Sequence, residues 1–146
     1  MQLMEEAKSK DELVGNTNKK LDQLNREIEE LKRDALRLGD EKHVQRQRDK
    51  GKMNCRERIE ALFDAGTFQE FGVLAYHHPK PENARTPADG VVTGYGKVDG
   101  RWVACAAYDF TVMGGSIGET GERKVTELRE MVAKWGIPIV WLIDSA

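Results

Sequence analysis

The first aromatic residue of this 146-residue chain is Phe63, and all ten aromatics lie from there onward. Residues 1–52 hold instead 13 basic and 12 acidic side chains. Large rings supply much of the buried area of a packed core, so a core can form only in the later part of the chain, and the earlier part must be an arm. The length provides for one such core. The sequence therefore divides near Gly51 into a charged helical arm, residues 1–52, and a folded part, residues 53–146.

Within the arm, Leu21, Leu24, Ile28, Leu31, Ala35 and Leu38 recur three and four apart, which predicts a helix with one narrow apolar seam. A helix of about 20 residues is ~30 Å long, and Gly39 is placed to end it as its C′ residue. The seam must pack on the folded part or on a partner helix, and the heptads are too few for a long coiled coil. The next stretch, EKHVQRQRDKGK, carries His43, Arg46, Arg48, Lys50 and Lys52 and reads as a solvated, frayed extension, with an anion contact as the alternative. NCRERIEALFDAG predicts a short helix docking through Ile59, Leu62 and Phe63 and stopped at Gly66, with Arg56 and Arg58 off that face.

From Thr67 the period changes. TFQEFGVLAY reads as a strand, and HHPKPENARTPADG, with three of the four prolines, as a loop. His77 and His78 are expected at the surface, since no HxxH or HxxxH spacing accompanies them. GVVTGYGKV and RWVACAAYDF flank Asp99-Gly100, the pattern of a tight hairpin. Cys55 and Cys105 stand too far apart for a CxxC site; Cys105 reads as a small buried hydrophobe and Cys55, among charges, as incidental. Then DFTVMGGSIGE predicts a strand end, a glycine-rich turn and a helix opened by a capping box of Ser116 and Glu119. Its apolar stripe is Ile117, Val125, Leu128, Val132 and Trp135, with Gly121 at a close contact and Gly136 as stop. IPIVWLI is apolar at nearly every position, as in a strand covered on both faces of a parallel sheet.

A net charge of -2 offers no field to hold a polyanion, so nucleic acid is not the expected partner. The chain contains neither a membrane-length apolar run nor the order of a secretory signal, and a cytoplasmic protein without a membrane partner is expected. Gly114, Gly115 and Ser116 fall at a strand exit and helix start, where bare amides favour a negative group; Asp144, Ser145 and Ala146 end the adjacent strand at the same edge. These six are the candidate ligand-binding residues. Ser145 lacks the G-x-S-x-G elbow of a nucleophile, and no catalytic side chain or metal site is assigned.

The ordered series KMNCRERIEALFDAGTFQEF, ADGVVTGYG, YDFTVMGGSIGE, a helix with ERK, and PIVWLIDSA closely resembles the carboxyltransferase (beta) subunits of biotin-dependent acyl-CoA carboxylases of the propionyl-CoA carboxylase type, and the related decarboxylases. The resemblance runs from about Gly51 to Ala146 and covers the arm less well. It implies an α/β (α+β) crotonase-like fold of ββα units, with residues 53–146 as the start of the amino-terminal domain. It also implies a reaction in which carboxybiotin, on a separate carrier protein or biotin carboxylase subunit, releases carbon dioxide. The biotin anion then takes a proton from the acyl α-carbon, and the enolate, held by backbone amides, captures the carbon dioxide. Acyl-CoA is the implied substrate and a homo-oligomer the implied assembly. By the same resemblance Gly114, Gly115 and Ser116 belong to a CoA-facing loop, and the basic stretch Arg46 to Arg58 meets CoA phosphates.

Relatives commonly read DSG where this chain reads DSA, and their motif continues into GAR, with the enolate-binding glycine pair in a later unit. The isolated chain is therefore expected to be inactive. Alternatives are an assembly module working through the Leu21–Leu38 seam, a biotin-dependent acyl-CoA decarboxylase subunit, and a CoA-binding hydratase of the same fold; TPADGVVTGYGKVDG speaks against the last.

Overall fold

The computed structural model describes residues 2–77 and 85–146, so His78 lies outside the described residues. The chain separates into two compact units, Met1–Asp34 and Ala35–Ala146. The first is helix α1 (Gln2–Ala35), 34 residues long rather than the 20 expected. Its seam residues Leu21, Leu24, Ile28 and Leu31 are exposed. The division of contacts at Ala35 does not coincide with the change of composition near Gly51, because the basic stretch is not a frayed extension: it forms helix α2 (Glu41–Asp49), which buries Gln47 and belongs to the second unit. Gly39 does not cap α1. Its amide donates to Thr111 Oγ1 at 2.9 Å, and a Cβ there would overlap the Thr111 carbonyl.

In the second unit, helix α3 (Cys55–Leu62) is followed by strand β1 (Gln69–Phe71), the hairpin β2 (Val91–Val98) and β3 (Arg101–Tyr108), helix α4 (Glu119–Trp135) and strand β4 (Ile139–Leu142). The sheet order is β1-β2-β3-β4, with β1 and β2 and the hairpin antiparallel and β4 parallel to β3. The expected strand from Thr67 shrinks to three residues because Gly72, at φ 67°, turns the chain out of the extended region. The hairpin forms as expected: Asp99 and Gly100 both take positive φ, as a two-residue I′ turn requires. The Asp64 carboxylate accepts both of their amides, at 3.1 and 2.9 Å.

Side chains of β3 alternate between two cores. Val103, Cys105 and Ala107 join Cys55, Ile59, Phe63 and Val92 on the α3 face. Ala104 and Ala106 join Val91, Val125, Leu128 and Val132 on the α4 face. The small residues of β3 let both helices approach closely. On β2, Gly94 and Gly96 do the same for the aromatic pair Phe63 and Phe68, whose rings would collide with a side chain at either glycine. Cys55 is therefore not incidental: it is buried, and burial, reinforced by the charge of Asp109, raises its thiol far above the ordinary range. Burial likewise pushes Cys105 up to about 12. β4 is half-buried rather than covered, since β3 is its one neighbour in the sheet among the described residues.

Candidate functional site

The two helices that flank the sheet are capped differently. Asn54 opens α3 with a full capping box: its side chain accepts the Glu57 amide at 2.9 Å, and Glu57 Oε2 accepts the Asn54 amide at 2.8 Å. The N-x-x-E spacing was there to be read, whereas the box expected at Ser116 and Glu119 does not form. Helix α4 begins at Glu119 behind Gly118, with no cap from its own segment. Asp89, from the turn Pro87–Gly90, substitutes: its Oδ2 accepts the Gly121 amide at 2.6 Å, and His77 Nδ1 lies 3.2 Å from its Oδ1. His77 is thus not a free surface residue but half-buried against Asp89. Gly121 lies where close packing was expected, with a Cβ there meeting the Asp89 carbonyl at 2.8 Å.

Lys124 secures the same turn. Its buried ammonium donates to the carbonyls of Ala88 at 2.9 Å and Val91 at 2.6 Å, and burial lowers its pKa to about 8. Ala88 and Asp89 hold left-handed φ of 53° and 49°, a conformation that costs on the order of 1 kcal/mol or more per non-glycine residue. The lysine fastens the strained turn from one side and the α4 amide from the other.

The glycine turn is likewise not a helix end. Met113–Gly115 forms a short 3-10 turn, and Ser116 follows it in an extended conformation. The amides of Gly115 and Ser116 donate to Val112 O and Met113 O at 2.9 and 3.3 Å, so they are not bare donors waiting for an anion. The segment abuts the end of β4 instead. The Ala146 amide donates to Gly114 O at 3.0 Å. Gly115, at φ 81°, lies so near Asp144 O that any side chain would overlap it. Five of the six candidate residues, Gly114, Gly115, Asp144, Ser145 and Ala146, are therefore joined in one contact, and Ser116 borders it on the Gly90 side.

Basic side chains gather at this contact. Lys52 Nζ lies 3.3 Å from Asp144 Oδ1 and 5.6 Å from the centre of the Phe110 ring. Arg58 donates to Tyr108 O at 2.8 Å and to Ile143 O at 3.5 Å, tying together the exits of β3 and β4. Arg56 is spent elsewhere, in a two-pronged pair with Glu70 at 2.8 and 3.3 Å. Burial pulls its guanidinium pKa down, but the hydrogen bond and charge of Glu70 outweigh this, and the net shift is upward. His43, Arg46 and Gln47, on one face of α2, and Lys50 at its C-terminal end line a cleft of about 240 Å³ whose other wall is Phe110 and Gly114. Gln47 Oε1 is buried there without a partner. A larger cavity of about 540 Å³ opens between α3 and the segment to Phe68 and includes none of the candidate residues. No cluster of three or more His, Cys, Asp or Glu suited to a metal occurs among the described residues. None of the described helices is long and apolar enough to cross a membrane.

Solved structures share this architecture. A transcarboxylase 12S hexamer with methylmalonyl-coenzyme A bound superimposes with a TM-score of 0.72 at 37% identity, over 88% of this chain and 25% of that one. A single-chain long-chain acyl-CoA carboxylase gives 0.73 at 28% identity, over 83% and 14%. Among curated relatives, the carboxyltransferase subunit of propionyl-CoA carboxylase from Haloferax mediterranei is 43% identical over 82% of this chain. The alpha subunit of methylmalonyl-CoA decarboxylase from Veillonella parvula is 44% identical over 73%. The chain spans 24% and 22% of these two relatives. Residues 46–146 match the family model described as the carboxyl transferase domain, and this crotonase-fold chain belongs to that family.

Proposed function

We propose that this chain supplies the acyl-CoA-binding part of a biotin-dependent carboxyltransferase, which moves a carboxyl group from carboxybiotin to the α-carbon of an acyl-CoA by way of an enolate. Residues 53–146 then begin the amino-terminal domain of the enzyme and residues 1–52 its arm. The observation that carries the reading is the meeting of Gly114 and Gly115 with Asp144–Ala146 beside a cleft walled by His43, Arg46 and Lys50. An acyl-CoA is a thioester on a long neutral arm ending in phosphates, and a backbone-lined floor beside a cationic wall suits both of its ends. Gly114, Gly115, Ser116, Asp144, Ser145 and Ala146 are assigned to the thioester arm, and Arg46 and Lys50 to the phosphates.

When bound, biotin on its carrier protein supplies the carboxyl group; no described residue of this chain is assigned to hold it. The amides of Gly115, Ser116 and Ala146 already donate to carbonyls within the site. Stabilising the enolate oxygen by aimed amides is therefore assigned to segments of full-length enzymes beyond the quarter spanned here, and the chain alone is expected not to turn over. The decarboxylase relatives support a second reading, in which the same site presents a carboxylated acyl-CoA for loss of its carboxyl group. A cytoplasmic homo-oligomer that receives a biotin carrier fits either direction.

Calorimetric titration of propionyl-CoA into the chain tests the site: Arg46→Ala combined with Lys50→Ala should weaken binding about tenfold at low salt. Unchanged affinity would refute the phosphate assignment. Joining the chain to the remainder of a relative's subunit should restore biotin-dependent carboxylation or decarboxylation, and absence of both would defeat the function.

A further inference from the structure

We infer that α1 is a self-pairing element, joining two copies of this chain through an antiparallel two-helix coiled coil. Upstream of Leu21 the apolar series continues to Val14, and from Val14 to Leu31 it keeps a seven-residue period. Val14, Leu21 and Ile28 occupy one row, and Thr17, Leu24 and Leu31 the other. The five hydrophobic members are each at least 43% exposed. Thr17 is no polar fault in the seam, because its hydroxyl donates to Leu13 O at 2.8 Å and leaves the methyl for packing. A sustained seven-residue repeat is the pattern that two supercoiled helices bury between them.

Charge selects the occupant and its direction. With the two helices antiparallel and centred between Asp22 and Gln23, Leu21 faces the partner's Leu24, Thr17 faces the partner's Ile28, and Val14 faces the partner's Leu31. On either side of the central leucine layers a larger residue then meets a smaller one. On its flanks Lys20 falls opposite the partner's Glu27 and Asp11 opposite the partner's Lys32, each pair occurring twice by the two-fold axis, and no like charges meet at flanking positions. A parallel pair in register would instead set Lys10, which shares the row of Thr17 and Leu24, against its own copy. Lys32 pairs within its helix with the exposed Glu29 at 2.9 Å, a contact worth too little to compete.

Cross-linking tests this on the whole 146-residue chain, in which Cys55 and Cys105 are buried and do not interfere. Mixing Val14→Cys chains with Leu31→Cys chains should give an oxidised heterodimer. Val14→Cys alone should give none, because antiparallel helices place the two sites roughly 25 Å apart. Sedimentation should show a dimer for the unaltered chain. Lys20→Glu should raise its dissociation constant about tenfold, and adding Glu27→Lys should restore it. A monomer at micromolar concentration, self-cross-linking of Val14→Cys, or a charge swap without rescue would each overturn the inference.

Discussion

Helices α3 and α4 cover opposite faces of one sheet, yet their first turns are satisfied by opposite strategies. Asn54 and Glu57 close α3 within a single turn of chain. Helix α4 borrows the carboxylate of Asp89, which stands 32 residues before Gly121, meets His77, and sits in a turn that Lys124 fastens through the Ala88 and Val91 carbonyls. A local cap stabilises its helix and little else. A remote cap also fixes where the helix sits, so α4, the strained turn before β2 and the segment carrying Gly114 and Gly115 hold or shift together.

The largest effect should come from Asp89→Ala, which strips a buried cap and leaves the Gly121 amide without its acceptor. About 3 kcal/mol should be lost in urea unfolding, and Asp89→Asn, which keeps an acceptor oxygen, should lose clearly less. Lys124→Met should follow at about 2 kcal/mol, since two buried carbonyls lose their donor while the left-handed turn is freed to relax. Asn54→Ala should cost only about 1 kcal/mol. Equal losses for Asn54→Ala and Asp89→Ala would break the contrast between local and remote capping.

The effect that is smallest at neutral pH is on pH dependence. Lys124 titrates near 8 in the fold against 10.5 when unfolded. Between these values the unfolded chain binds more protons, so this group makes stability rise with pH, by at most about 1.4 kcal/mol per unit. Below 8 it contributes no slope. Comparing unfolding midpoints of the unaltered chain and Lys124→Met from pH 7.5 to about 10.5 should show that increment lost in the variant.

What the sequence discloses tracks the range of the interaction responsible. The hairpin about Asp99-Gly100 and the succession of β3, α4 and β4 follow from period and turn chemistry, and the structure contains both. The nearness of Gly114 to Asp144 was legible by topology, because a crossover between parallel strands brings their exits to one edge. Docking of α2 was not. It depends on Gly39 and His43 reaching Thr111, with His43 Nδ1 3.3 Å from Thr111 O, across about seventy residues and without local pattern. For the same reason Arg46 and Lys50 were visible as charges but not as the wall of a cleft beside Gly114. Cys55 was misread because its neighbours in sequence are charged while its neighbours in space are Ile59 and Val92.

The contact of Gly115 with the Asp144 carbonyl has a bearing on biosynthesis. A nascent chain that has completed the hairpin and α4 still lacks the far side of this contact, and at roughly 5–20 residues per second that side is made about a second later. Until then Gly114 and Gly115 have no seat to rest in, and the ribosome holds a scaffold whose glycine turn is still unanchored.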